Sequence, residues 1–377
     1  MANPFRYGEL VSGEYFFDRE KEKKELHQII ESAINVFLYG PRRYGKTSLV
    51  LEVLKERKGS QEIPIYLDLL KAPTKRKFLE LYAREIAKAV TTKFDEALNF
   101  CKRTFSRLIP RIVFKANNIP EIEFDASWTR ETETAVTEEV LALPEEIAQK
   151  KGRRVVVILD EFPEITNYDG KKFEGILRSF IQSHQDVSYI FTGSKRRLLL
   201  KMISDPKRAF YKSGKIMPLG KIPQEEFETF IAQRFKSSNI RIAKENIKLI
   251  LEMTRNHPYY TQMLCWELWE KVSIKKQALK EDISETLNTT LNHQREYFLT
   301  LWDNFSPHQK VLLLALAKEP LANIFSREFI NKFGLATVSS VQKSLHRLME
   351  LEVVDKTNNI YEISDVFFNL LLREEIA

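Results

Sequence analysis

Residues 35–50, NVFLYGPRRYGKTSLV, constrain the fold of this chain more than any other stretch. Four residues separate Gly40 from Gly45, and Lys46 and Thr47 follow at once. The apolar residues before Gly40 predict a strand, and the periodic apolar residues after Thr47 predict a helix. A strand, a glycine loop and a helix in this order form a P-loop, in which backbone N–H groups and the positive end of the helix point at a phosphate.

The P-loop spacing also assigns roles to individual side chains. Lys46 is expected to bridge the β and γ phosphates of a nucleotide, and the Thr47 hydroxyl is expected to ligate Mg²⁺. The loop residues expected at the nucleotide are Gly40, Pro41, Arg42, Arg43, Tyr44, Gly45, Lys46, Thr47 and Ser48. For Arg42 and Arg43, bonds to neighbouring backbone or acidic groups are an equal alternative.

A second motif, RRVVVILDEFPEI at residues 153–165, ends an apolar strand with two carboxylates. Ligands bind at the carboxyl ends of strands in open parallel sheets, so Asp160 is expected to hold the magnesium. Glu161 is expected to orient and deprotonate an attacking water, which predicts hydrolysis. The alternative is a pair of solvated acids that open a helix.

A further strand, SYIFTGS at residues 188–194, ends in hydroxyl side chains. If this strand lies between the other two, Ser194, or less favourably Thr192, is a candidate sensor of the γ phosphate. Lys195, Arg196 and Arg197 follow directly, and one of them could neutralise charge during phosphoryl transfer, in the same chain or across a subunit contact. A solvated basic helix face is an equal alternative.

The nucleotide base is harder to assign than the phosphates. The guanine-reading pattern Asn-Lys-x-Asp does not occur in the sequence, which leaves adenine as the default. Arg19, in the segment FFDREKE before the P-loop, is a candidate for the adenine pocket, although such residues more often begin a solvated helix. The expected cofactors are therefore ATP and Mg²⁺.

Charge and composition limit the class of protein. The net charge of +7 is matched by residues 195–215 alone, which hold eight Lys and Arg against one Asp. The 71 residues from Pro307 onward hold eight basic and nine acidic residues. No apolar run is long enough to cross a bilayer, and the first residues lack the order of a signal peptide, which predicts a cytoplasmic protein. Cys101 and Cys265 lie too far apart in sequence for a metal-binding motif.

Alternation of short apolar runs with periodic segments predicts an α/β domain over residues 1–215, with a parallel sheet covered on both faces. Residues 109–124 interrupt this rhythm with two alternating segments around Asn117-Asn118, which predicts an inserted β-hairpin. Residues 216–300 read as a helical lid domain. Residues 301–377 read as three helices and a hairpin around Asn358-Asn359, a winged helix whose third helix lies near 338–350.

Five stretches together resemble a family of archaeal and bacterial ATPases related to the AAA+ and STAND signalling ATPases. They are NPFRYGELVSGEYFFDREKE, GPRRYGKTSL, VVILDEFPEI, FTGSKRRLL and NHPYYTQML. The resemblance covers essentially the whole chain and implies a sheet in the order 5-1-4-3-2, with ATP between the sheet domain and the helical lid.

The resemblance also assigns a nucleotide contact to Pro258, in the family's Gly-x-Pro motif. Asn256 replaces the usual glycine, and asparagine tolerates a left-handed backbone better than most residues. The family's Gly-Arg pair before the fifth strand is absent, and Lys212 and Lys215 stand in that segment. An arginine contact from that position is therefore not expected.

Three functions follow from this pattern. The leading hypothesis is an ATP-hydrolysing molecular switch, in which nucleotide binding rearranges the lid and winged-helix domains. The second is a DNA-binding ATPase that uses the winged helix. The third is a nucleotide-dependent scaffold for a partner protein, and an oligomer is compatible with all three.

Overall fold

The computed structural model describes residues 2–57, 62–114, 118–125, 128–319, 323–357 and 359–374. The chain divides into two compact units, one formed by Arg19–Gly220 and the other by Met1–Asp18 together with Lys221–Ala377. We call them the α/β unit and the helical unit. Among the described residues, no helix combines the length and apolar character needed to span a membrane.

The α/β unit contains a parallel sheet and a separate hairpin. Its strands are β1 (Val36–Tyr39), β2 (Ile63–Asp68), β3 (Ile109–Phe114), β4 (Pro120–Asp125), β5 (Val155–Asp160), β6 (Val187–Gly193) and β7 (Lys215–Pro218). Five of these form a sheet in the order β2-β5-β6-β1-β7, and all of its neighbours are parallel. Counted within the sheet and read from β7, this order is 5-1-4-3-2, which confirms the prediction.

Helices cover both faces of this sheet, because its central strands are apolar on both sides. Every residue of β5 and β6 is buried. The helices are α1 (Glu20–Glu31), α2 (Lys46–Glu56), α3 (Lys75–Val90), α4 (Phe94–Thr104), α5 (Arg130–Lys151), α6 (Lys171–Ser183) and α7 (Arg196–Ser204). Aromatic rings fill the space beneath them, as where Phe37 stacks on Phe191 with 4.5 Å between ring centroids.

The segment between α4 and α5 forms the antiparallel pair β3–β4, with Phe114 opposite Pro120. Asn117, at the centre of the expected turn, lies outside the described residues. Ile122 and Phe124 of β4 join the core of the α/β unit. Phe114 of β3 remains 65% exposed.

The helical unit ends in a winged helix, as predicted. Its elements are α8 (Gln224–Ser237), β8 (Arg241–Ile242), α9 (Lys244–Met253), α10 (Pro258–Val272), β9 (Gln277–Ala278), α11 (Lys280–Asp303), α12 (Pro307–Lys318), α13 (Arg327–Lys332), α14 (Val338–Glu350), β10 (Val354–Thr357), β11 (Ile360–Ile363) and α15 (Val366–Glu374). The third helix, α14, spans the expected residues, and β10 pairs with β11 in antiparallel fashion. Asn358, in the expected turn, lies outside the described residues.

The N-terminal residues, expected in the sheet domain, instead pack with the helical unit. Phe5 is fully buried there, with its ring 5.1 Å from that of Phe235, and Phe17 stacks on Phe230 at 3.7 Å. Packing of the buried Phe5 and the partly buried Phe17 against aromatic rings of α8 stabilises this arrangement. The expected boundary after residue 215 falls inside β7, and the one after residue 300 falls inside α11.

Candidate functional site

The P-loop has a backbone that favours glycine at two positions. Gly45 has a φ of +84°, immediately before α2 begins at Lys46, and Arg43 also has a positive φ of 62°. A Cβ on Gly40 would lie 2.6 Å from the carbonyl oxygen of Leu219, which leaves room only for glycine. The loop is therefore shaped to curl around a small anionic group.

Lys46 lies at the bottom of this loop with only 6% of its surface exposed. Its Nζ donates to the carbonyl oxygens of Gly40 and Pro41, each at 2.9 Å. The ammonium is thus held close to the loop backbone, where incoming phosphate oxygens would compete with the two carbonyl groups. Arg42 and Arg43 are both exposed on the loop.

Asp160, at the end of β5, accepts hydrogen bonds from side chains of β2, β6 and the start of α2, and from the backbone of the next residue. Its Oδ2 accepts from the hydroxyls of Thr47 and Tyr66, each at 2.8 Å. Its Oδ1 accepts from the Thr192 hydroxyl and from the Glu161 backbone N–H, the latter at 3.1 Å. The carboxylate is 6% exposed. The structure therefore brings together Thr47 and Asp160, the two residues assigned to magnesium.

Tyr66 was not identified from the sequence. It lies near the end of β2, where register pairs Tyr66 with Ile158 and Asp68 with Asp160. Burial first, and then the charge of Asp160, raise the pKa of the Tyr66 phenol well above its ordinary value, so the phenol stays a hydrogen-bond donor. The sequence shows a tyrosine two residues before the end of β2, but not which group its hydroxyl contacts.

Glu161 and Ser194, assigned as base and sensor, contact each other. The Oε2 of Glu161 accepts from the backbone N–H of Ser194 at 3.0 Å and from its hydroxyl at 2.9 Å. Glu161 has a φ of +53°, which turns the chain sharply after β5. A Cβ on Gly193 would lie 2.9 Å from Cδ of Pro163, so glycine permits this close packing. Thr192, the less favoured sensor, contacts Asp160 instead.

The basic residues that follow Ser194 have different surroundings. Lys195 Nζ lies 2.5 Å from a carboxylate oxygen of Glu164. The Arg196 guanidinium lies 5.6 Å from the ring centre of Tyr39. Arg197 is exposed. Of the three candidate cations, Lys195 therefore has its charge engaged by an acid of the same unit.

Further along the basic segment, part of the charge is used internally. Arg208 forms a bidentate pair with Glu174, whose side chain is 2% exposed. Lys215 pairs with Glu25 at 2.8 Å. Lys212 is exposed and has a φ of +49°. The surface available to an external anion is therefore smaller than the count of basic residues indicates.

Arg19 joins the start of α1 to the P-loop. Its guanidinium is 4% exposed and donates to the carbonyl oxygens of Gly220 at 2.7 Å and Tyr44 at 3.5 Å. It also donates to Glu22 at 3.0 Å. These contacts fix the guanidinium beside the loop backbone, and its assignment to the adenine pocket stays a prediction.

Pro258 is the first residue of α10 in the helical unit. His257 caps this helix, because its Nδ1 accepts from the Tyr259 backbone N–H at 3.3 Å. The preceding residues Arg255 and Asn256 have φ values of +53° and +55°. Asn256 thus adopts a left-handed conformation, which asparagine tolerates better than most residues.

Comparison with protein families gives two matches, each to a different part of the chain. A model of an ATPase domain predominantly from Archaea matches residues 16–264. A model of a probable winged helix domain matches residues 296–374.

Individual relatives agree with these matches. An uncharacterized ATP-binding protein of Methanocaldococcus jannaschii is 24% identical over 85% of this chain and 84% of its own. A Walker-type ATPase of Pyrococcus abyssi has a similar fold, with a TM-score of 0.66, 20% identity and coverage of 96% and 97% of the two chains. The ORC1 protein of Aeropyrum pernix in complex with DNA has a TM-score of 0.50 at 14% identity, with 96% and 93% covered.

Proposed function

Because the chain belongs to the family of ATPase domains found predominantly in Archaea, we propose that it is a magnesium-dependent ATP-hydrolysing switch of the AAA+/STAND type. ATP is bound by the P-loop residues 40–48, with Arg19 toward the base, and the family resemblance implies a nucleotide contact for Pro258. Thr47 and Asp160 hold Mg²⁺, and Glu161 acts as the general base.

The hydrogen bond between Thr47 and Asp160 carries this proposal. The two residues are 113 positions apart in sequence, yet their side-chain oxygens lie 2.8 Å apart. A hydroxyl and a carboxylate at the mouth of a P-loop are the oxygen ligands that Mg²⁺ prefers. Bound Mg²⁺ supplies positive charge that stabilises the phosphoryl oxygens. The donor set and the glycine-shaped loop both fit a magnesium nucleotide.

The contact between Glu161 and Ser194 indicates how hydrolysis is controlled. With both Ser194 donors on one oxygen of Glu161, the base is held at the end of β6. A γ phosphate that accepts a hydrogen bond from the Ser194 hydroxyl would remove one of these bonds. The Glu161 carboxylate would then be free to orient water. Hydrolysis would then depend on occupation of the γ-phosphate position, which is the behaviour expected of a slow switch.

A nucleotide shifts a conformational equilibrium only through contacts that differ between the two states. The family resemblance assigns such a contact to Pro258. The helix that begins at Pro258 belongs to the same unit as the winged helix, so a change at this residue has a route to the C-terminal domain.

The test is ATP binding and phosphate release by the full chain, with and without Mg²⁺. Lys46→Ala should abolish tight ATP binding and turnover, because the buried ammonium is lost from the loop. The matched control is Lys55→Ala, which removes an exposed lysine from the same helix. Equal turnover by the Lys46 variant and the wild type would refute the proposal.

DNA binding through the winged helix is the second candidate, favoured by one face of α14. Lys343 is exposed, and the His346 and Arg347 side chains are 65% and 60% exposed. Against it, Glu350 pairs with both His346 and Arg347 on the same helix. Retention of duplex DNA that falls steeply with salt, and that is lost in a Lys343→Glu/Arg347→Glu variant, would support it. Retention unchanged in that variant would exclude this face.

A further inference from the structure

The turn that leads into Pro258 contains an arginine where the backbone favours glycine. Helix α9 ends with two hydrogen bonds, from Arg255 N–H to Glu252 O at 3.1 Å and from Asn256 N–H to Leu251 O at 3.0 Å. This pair of bonds defines a Schellman motif, in which the first left-handed position is usually glycine. Arg255 occupies that position with a φ of +53°.

The side chain of Arg255 explains why an arginine stands there. Its Nη2 donates to Oδ1 of Asn369 at 2.5 Å, and its Nη1 lies 3.7 Å from a carboxylate oxygen of Glu362. Asn369 belongs to α15 and Glu362 to β11, so both partners are part of the winged helix. The arginine therefore reaches from the lid turn to the C-terminal domain within one unit.

The Arg255 contact lies at a buried junction. Asn369 is fully buried, and its Nδ2 has no hydrogen-bond partner among the described residues, so Arg255 provides the side-chain bond of this amide. Beside it, the ring of Tyr260 in α10 lies 4.8 Å from that of Phe367 in α15, and both rings are buried. Burial lowers the pKa of the Arg255 guanidinium, and Glu362 acts in the opposite direction.

We propose that Arg255 is a positioning residue that fastens the turn bearing Pro258 to α15, so that the turn and the winged helix move together when nucleotide binds. The inference rests on the proposed function, because it requires that ATP acts on Pro258. It adds the residue that transmits the change. Arg255 has an unfavourable backbone conformation, and its side chain binds Asn369 in α15.

Hydrogen–deuterium exchange of the full chain tests this link. Exchange of residues 366–374 is measured without nucleotide and with a saturating non-hydrolysable ATP analogue and Mg²⁺. In the wild type, the analogue should change exchange in this segment. Arg255→Gly should fold, because glycine suits the left-handed position, but the response of residues 366–374 should fall at least about fivefold.

Two further variants separate linkage from simple loss of packing. Arg373→Gln removes another arginine contact of α15, the bond from Nε to Ala317 O at 2.6 Å, and should retain the response. Arg255→Lys keeps a donor for Asn369 and should recover part of it.

The outcomes are distinct. A full response in Arg255→Gly, or an equal loss in Arg373→Gln, would overturn the link while leaving ATP binding intact. A wild type that does not bind the analogue would overturn the proposed function and this inference with it.

Discussion

Replacement of Glu161 by glutamine separates the chemistry of the site from its architecture. In the wild type, one oxygen of Glu161 accepts both the backbone N–H and the hydroxyl of Ser194. The amide oxygen of glutamine can accept the same two bonds, so Glu161→Gln keeps the shape of the site. The substitution removes the negative charge and with it the ability to take a proton from water.

Glu161→Gln should affect the stability of the protein much less than the rate of hydrolysis. A hydrogen bond to a charged acceptor contributes about 1.5–3 kcal/mol and one to a neutral acceptor about 0.5–1.5 kcal/mol. Because Glu161 is half-buried, solvent screening reduces this difference, and we expect a total loss of stability of about 1–2 kcal/mol. A general base contributes about 10²–10⁴ to the rate, which corresponds to about 2.7–5.5 kcal/mol of barrier.

The assay is single-turnover phosphate release with excess protein over ATP, together with the Kd for ATP. Glu161→Gln should slow release at least about hundredfold and change Kd by less than about tenfold. The matched control is Glu164→Gln, a nearby half-buried acid that contacts Lys195 and not Ser194. Turnover within about tenfold of the wild type in Glu161→Gln, or an equal loss in the control, would refute the assignment of Glu161 as base.

Three other predictions follow from the surroundings of single residues. Gly40→Ala should weaken ATP binding and lower the free energy of unfolding by about 1–3 kcal/mol, measured by calorimetric titration and urea unfolding, because the new Cβ meets a carbonyl oxygen at 2.6 Å. Tyr66→Phe should lower the free energy of unfolding by about 1–2 kcal/mol in urea titrations, because Asp160 loses a phenol donor at 2.8 Å. Burial raises the pKa of Cys101 to about 12, and Cys265 is also fully buried. Both thiols should resist labelling at pH 8 until the protein unfolds, and magnesium ATP should slow the labelling of Cys101, which mass spectrometry measures.

Local patterns were enough to predict the sheet and the edge at which the candidate site lies. The strands β5 and β6 are buried along their whole length and mainly apolar on both faces, which distinguishes them from surface strands and identifies a parallel sheet. Since the carboxyl ends of parallel strands meet at one edge, the P-loop and Asp160 were expected to be neighbours, and the structure brings Thr47 and Asp160 into contact. The winged helix could also be predicted from a local pattern, because α14 has strong helical periodicity.

Three contacts that the sequence did not reveal are made between distant residues. Nothing in the segment around Tyr66 indicates that its hydroxyl reaches Asp160, because that contact depends on the register between β2 and β5. The bond between Arg255 and Asn369 spans 114 positions and joins two side chains that carry no motif. Likewise, the burial of Phe5 depends on aromatic partners more than two hundred positions away.

The hydrogen bond from Arg19 to the carbonyl of Gly220 has a consequence for the order of folding. These are the first and last residues of the α/β unit, so the bond closes a loop that contains the whole of that unit. Bringing together the ends of a disordered segment of this length would cost about 5 kcal/mol in chain entropy. Once the α/β unit has folded, its structure holds these two ends together, and closing the loop requires no further loss of chain entropy. Residues 2–18 and α8 then extend from two ends that are already close together. We therefore expect Phe5 and Phe17 to become protected from solvent only after the parallel sheet has formed.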